Sequence, residues 1–403
     1  ETAYAAGLDR LPASPGRPRA GRRAVESAHT APGDTRGRAV PVLFGKRFSK
    51  TALLERVGDI RQVAGVRLVE LVDGPERGVR AAEVRTGSGL RFLVAADRGM
   101  DIADASWRGT PLAWISPTGL VNPGLYEEPA RGWLRSFHGG LLNTCGLSTA
   151  GAPSVDGGVP LGLHGRASNT PARSFAAREK WSGEEYTIEL SGVLREASVF
   201  GENLELRRTI RTSLGASSFS LSDQVTNLGY ASAPFMILYH INLGWPLLDE
   251  HAELVCSRCE DVPRDDEAEF GRERARAFEP PSGAYREKVY YRDLPAGPDG
   301  FARVALVNRR LPLGVWIAYR KRELPNLIQW KMMGRGEYVC GLEPANCLVE
   351  GRAAERARGT LRELAPGETC NLELRIGVLG SSSEIEEFER SLPSPAIPEG
   401  GLQ

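Results

Sequence analysis

The chain has 403 residues, 41% of them hydrophobic, and its 51 Lys and Arg balance its 51 Asp and Glu to a net charge of zero. That length and apolar share suffice for a large buried core, and all-β folds of this size run as single units. The charge balance removes any global electrostatic argument for nucleic acid or an anionic membrane, and no apolar run approaches the ~18 residues of a membrane-spanning helix.

Residues 1–40 are rich in Ala, Arg, Gly and Pro without hydrophobic periodicity, so they are expected to form a flexible tail. From Val66 the texture is β: Val66–Val72 and Val79–Arg85 alternate apolar with polar residues about an Asp73-Gly74 turn, and Leu90–Ala95 makes a third strand. That strand runs into Arg98-Gly99-Met100-Asp101. A Gly/Pro-rich loop then leads to His138-Gly139-Gly140-Leu141-Leu142-Asn143-Thr144-Cys145-Gly146 and to Leu163-His164-Gly165-Arg166. Residues 172–232 give four or five alternating stretches. Phe235–Gly244 is almost wholly apolar, the mark of a central, doubly covered strand, and carries His240 and Asn242 on one face.

Residues 256–300 read as charged loop. Strands resume at 302–308, 314–319 and 327–331, followed by Val339-Cys340-Gly341-Leu342-Glu343-Pro344. Pro344 cannot donate to a sheet ladder, so that strand is expected to stop there and hold Glu343 stiffly at its end. A hairpin partner near 360–364 and a strand over 369–378 close the domain. Residues 381–403 read as a short acidic helix and a Pro/Gly tail. Many strands and at most one or two short helices predict an all-β fold, a large antiparallel sandwich over 41–380. No nucleotide-binding Gly-rich loop opens a helix.

Six cysteines, at 145, 256, 259, 340, 347 and 370, lie mostly in apolar segments. They suit buried free thiols in a reducing compartment and a cytoplasmic location. Cys256-x-x-Cys259 lacks a second pair at metal-ligand spacing, and no metal or other cofactor is expected. Of the five histidines, His138 stands beside Gly-Gly, His164 before Gly165 and His240 inside an apolar strand. Imidazole titrates near neutrality and can serve as acid and base in one cycle. These three with Glu343 form the candidate chemical set. For each alone, a capped loop or a satisfied buried polar group is the plainer reading.

These motifs in this order resemble the aldose 1-epimerase (galactose mutarotase-like) superfamily, most closely its poorly characterised bacterial branch, over residues 45–380. The resemblance implies a β-supersandwich whose concave face binds a monosaccharide: a hexose, a uronic acid or a derivative. It implies Glu343 as the base at the anomeric hydroxyl, His240 as the acid at the ring oxygen, and His164 as the remaining histidine of the usual pair. Arg98, Asp101, His138, Arg166, Asn242, Gln329 and Lys331 are then expected around the sugar, with Trp330 stacked on its apolar face. An anionic Glu343 is expected to keep His240 protonated. The Asn-Arg-Ile element of better-studied mutarotases is missing; Arg98-Gly99-Met100-Asp101 occupies a comparable place. Substrate choice therefore stays open, as do epimerisation at another carbon and ketose–aldose isomerisation. The rivals are a metal-dependent isomerase with His138, His164, His240 and Glu343 as ligands, and a non-catalytic carbohydrate-binding module. The assembly could be a homodimer.

Overall fold

The structure, a computed structural model, describes residues 40–393. The expected amino-terminal tail through residue 39 and the last stretch, 394–403, lie outside the described residues.

Three antiparallel sheets carry the fold. The early strands, Gly65–Glu70 through Asp101–Trp107 and a short Thr110–Pro111 edge, make a five-stranded sheet. An eight-stranded sheet takes in the long alternating strands Arg173–Ser182, Glu185–Ala197, Asn203–Ser213 and Ser218–Asn227. It continues through Thr369–Leu379, Leu313–Arg320, Phe301–Asn308 and Ala252–Cys256. The third sheet has six strands, ordered Asn143–Leu147, Met236–Leu243, Glu337–Ala345, Asn326–Gly334, Lys288–Arg292, Val262–Pro263. Period-two alternation sends Tyr239, Ile241, Leu342 and Leu327 of this sheet into one continuous core, together with Leu206, Leu374, Val84 and Phe92 from the other two. The opposite set, including Leu238, Val289 and Ile328, joins a second cluster under the outer face. Every residue of Met236–Leu243 is buried, as its unbroken apolar run requires.

The structure departs from the sequence reading in four places. The strand carrying Glu343 does not stop at Pro344: it runs through Ala345, with Leu327 paired to Pro344. The charged stretch 256–300 contains the short helix Asp266–Phe270 and the strand Lys288–Arg292. That strand's Lys and Arg are both buried and give it the look of a loop. The 360–364 segment forms a two-residue strand paired to Ala233–Pro234, after a helix over Arg352–Arg358. With Lys50–Leu54 and Ser382–Ser391 this makes four α-helices among the described residues, not one or two. None is long and apolar enough to cross a membrane.

Candidate active site

In the pairing of Met236–Leu243 with Glu337–Ala345, Leu238 faces Ala345 and Ile241 faces Leu342. This register sets His240 opposite Glu343 and Tyr239 opposite Pro344. Those two positions fall out of the ladder, where Pro344 has no N–H to give. Directly opposed residues share a face with their Cβ atoms ~5 Å apart, and the side chains meet: Nε2 of His240 lies 3.2 Å from Oε1 of Glu343. The two side chains are 6% and 2% exposed. Nδ1 of His240 and Oε1 of Glu343 have no well-directed hydrogen-bond partner, so both retain unused polar capacity.

The pair lies at the floor of a hollow of about 630 Å³, a size that suits a small-molecule site. Its walls are largely aromatic. Trp133 stacks on Phe137 with ring centroids 4.5 Å apart, and Phe137 lies 5.2 Å from the His240 ring. Trp330 meets His240 edge-on at 5.4 Å, and Trp114 meets Trp330 edge-on at 6.1 Å. Gly341, two residues before Glu343 and on its face, keeps the floor open. A Cβ there would sit 2.5 Å from Oε1 of Glu343 and 3.2 Å from Cε1 of His240.

His164 stands across the hollow, its ring 5.8 Å from that of His240 and nearly perpendicular to it, and 4.6 Å from Trp133. Its backbone is in the left-handed region, φ 57°, a conformation that costs about 1–3 kcal/mol and persists where the surroundings enforce it. Here the His164 N–H donates to Gly151 O, and its carbonyl accepts from the Gly146 N–H, each at 2.9 Å. Its Nδ1 accepts from the Gly151 N–H at 3.3 Å. The following Gly165 is required: a Cβ would come within 2.5 Å of the carbonyls of Thr149 and Gly146.

Burial governs the electrostatics. It lowers the His240 imidazole to about 3, helped by His164 nearby, and lowers the half-buried His164 to about 4. It raises the Glu343 carboxyl well above the usual carboxylate range; the Glu287 carboxylate adds to the rise and Arg264 opposes it. Both members of the pair are thus pushed toward their uncharged forms. Against the expectation that an anionic Glu343 holds His240 protonated, burial favours a neutral carboxyl beside a neutral imidazole. At the rim, the Trp330 indole N–H donates to Glu287 at 3.0 Å, and Arg264 holds Glu287 at 3.2 Å. A charged pair at the mouth therefore fixes the tilt of the indole.

Of the residues expected around a sugar, the hollow gathers His164 and Trp330 with the His240–Glu343 pair. The others are committed elsewhere. Arg98 is fully buried and donates to the carbonyls of Ser168, Val121 and Ser136 at 2.6–2.8 Å. Asp101 accepts from the Thr144 N–H and hydroxyl and pairs with Arg208. Asn242 does share its strand face with His240, but it lies under the chain at 139–140 and donates to both of those carbonyls. His138 is buried against Asn143. Gln329 and Lys331 point to the opposite face from Trp330, Gln329 accepting from Arg292 and Lys331 donating to Arg274 O and Ala277 O. Arg166 is exposed, 3.7 Å from Glu128. Among the described residues no three His, Cys, Asp or Glu side chains come close enough to hold a metal ion, and His138 does not line the hollow that the other three candidate ligands share.

Trp114, Trp133, Phe137, Arg264 and Glu287 were not anticipated. Trp133 and Phe137 had a signal: large aromatics in a Gly/Pro-rich loop with no strand to bury them. Glu287 had none.

Residues 76–378 match the model of a family described as a domain of unknown function, DUF4432. The chain belongs to that family. Its fold is galactose mutarotase-like. A protein from Klebsiella pneumoniae subsp. pneumoniae named as a putative aldose 1-epimerase superposes with a TM-score of 0.78 at 25% identity, covering 85% of this chain and 94% of that one. A galactose mutarotase-like protein from Clostridium acetobutylicum (TM-score 0.56, 11% identity, 79% of this chain and 99% of that one) shares the fold. So does a putative mutarotase from Salmonella typhimurium (0.53, 10%, 78% and 94%). No curated protein matches the chain.

Proposed function

We propose that this DUF4432 chain is an aldose 1-epimerase-like isomerase that interconverts the anomers of a sugar by acid–base ring opening. The observation that carries the reading is the in-register opposition of His240 and Glu343, 3.2 Å apart at the base of an aromatic hollow. The likeness to the Klebsiella protein supports it.

In this reading the carboxylate of Glu343 takes the proton from the anomeric hydroxyl while the imidazolium of His240 delivers one to the ring oxygen. The C1–O5 bond breaks to leave an open-chain aldehyde. Rotation about C1–C2 and closure on the other carbonyl face return both protons. The neutral resting pair is compatible with this chemistry, because carboxyl plus imidazole and carboxylate plus imidazolium differ by one proton moved across the gap and carry the same total charge. A hydroxyl donating to the carboxylate and a ring oxygen accepting from the imidazolium stabilise the ionised form only when sugar is bound. Trp330, its tilt held by Glu287, offers a flat apolar platform for the C–H face of a pyranose. His164 closes the opposite side.

The test is anomer exchange followed by NMR on freshly dissolved aldoses, uronic acids and sugar phosphates. Enzyme-dependent acceleration on at least one sugar, without added metal, is expected. Sugar binding with no acceleration would point to the non-catalytic alternative.

A further inference from the structure

Beside the aromatic hollow lies a second, open one of about 650 Å³, and the two share a ridge formed by Thr118, Arg131 and Leu134. Two short 3-10 turns, Pro123–Leu125 and Gly132–Arg135, supply Leu125, Leu134 and Arg135 to the outer hollow, with Pro75, Val121 and Glu127 completing its wall. Those turns leave Leu125 60% and Leu134 46% exposed. Neither leucine belongs to a core cluster, and Leu134 borders both hollows, so the exposed apolar surface is contiguous with the proposed catalytic cavity. Surface leucines scattered singly need no account, but two flanking one cavity do. The Arg131 guanidinium on the ridge has no ion pair or hydrogen bond among the described residues, whereas that of its neighbour Arg135 is tied to Glu127 at 3.2 Å. An unengaged guanidinium carries five N–H donors in a rigid plane, suited to hydroxyl pairs.

Besides the His240–Glu343 pair, the inner hollow is lined by the polar side chains His164, Arg264, Glu287 and Glu337, of which Arg264 and Glu287 are already paired with each other. Trp114, Trp133, Phe137 and Trp330 dominate it, and its Ser116 and Thr118 hydroxyls already donate to backbone carbonyls. Polar capacity for a hydroxyl-rich ligand also continues outward over the ridge, at the Arg131 guanidinium.

We propose that the outer hollow is a second sugar subsite, so that the substrate is a reducing disaccharide or the reducing end of a longer oligosaccharide. The reducing ring sits over His240 and Glu343, the next ring leans on Leu125 and Leu134, and Arg131 bridges the linkage by donating to hydroxyls. This proposal rests on the anomer-interconverting reading of the inner site.

The experiment measures kcat/KM for anomer exchange by NMR on reducing disaccharides and on the monosaccharide of each reducing end. The expected result is a disaccharide preferred at least tenfold, with the ratio falling toward one in Leu125→Ser and in Arg131→Ala. Leu125 is exposed and outside the inner hollow, so its replacement leaves the fold intact; equal melting temperatures check this. Exchange on monosaccharides with no gain for any disaccharide overturns the second subsite and leaves the inner reading standing. A preference that survives both substitutions also overturns it. Exchange on no sugar at all removes the inner reading and this one with it.

Discussion

Replacing His240 by Asn reads out the charge state of the proposed catalytic pair through stability alone. An imidazole whose pKa drops from 6.5 to about 3 on folding, chiefly because it is buried, holds its proton less well in the folded protein than in the unfolded chain. The unfolded state then binds more protons between those values. The stabilisation is fully present above pH 6.5 and is lost as the pH falls toward 3. At about 1.36 kcal/mol for each pH unit the full loss is about 5 kcal/mol, of which about 3 kcal/mol has gone by pH 4. The assay is urea denaturation of wild type and His240→Asn at steps from pH 7.5 to 4. Asn does not titrate there, so the stability difference between the two proteins should shift against wild type by about 3 kcal/mol on acidification. His164 titrates in both proteins and largely cancels. A difference that stays flat, or moves in favour of wild type, would refute the neutral pair: it would mean that an ionised Glu343 raises the His240 pKa.

Three further outcomes follow from the same geometry. Gly341→Ala places a methyl 2.5 Å from Oε1 of Glu343, so turnover should fall at least tenfold while the melting temperature changes by only a few degrees; full activity would show that the floor beside the pair is not used. Glu287→Ala frees the Trp330 indole and should raise KM with a smaller effect on kcat, whereas Glu287→Gln keeps an acceptor for the indole N–H and should recover most of the KM; identical KM values in both variants would count against the rim pair. Arg98→Met strands three carbonyls in the interior and should cost about 3 kcal/mol or more in thermal unfolding, while Arg166→Ala at the exposed surface should leave both stability and KM near wild type.

The sequence was most informative where local chemistry alone determined the outcome. A histidine inside a run of ten nearly apolar residues has to occupy a covered strand, and a Glu before a proline has to lie in extended backbone; His240 and Glu343 were legible for those reasons. Their opposition depended on long-range register, which no local pattern encodes. Strand alternation separates Trp330 from Gln329 and Lys331, so grouping all three at the site overlooked a rule the sequence itself contains. Arg98 and Asp101 misled for a different reason: buried charges are found wherever they satisfy remote backbone or partner groups, and Ser168, Val121, Ser136 and Arg208 are distant in the chain. The strand Lys288–Arg292 was hidden by charged residues at both ends. They are buried because Lys288 pairs with Glu267 and Arg292 with Asp261 and Gln329. With that strand went Glu287 at the rim.

The central claim is that one imidazole and one carboxyl group, opposed across neighbouring strands, move protons at a single sugar ring. The most direct measurement is saturation-transfer NMR of anomer exchange at neutral pH with wild type, Glu343→Gln and His240→Asn, each shown to be folded. Loss of one proton-transfer partner should lower kcat by on the order of a hundredfold or more in each variant, with the double variant little worse than either single one. Exchange at the wild-type rate in either single variant would contradict the account.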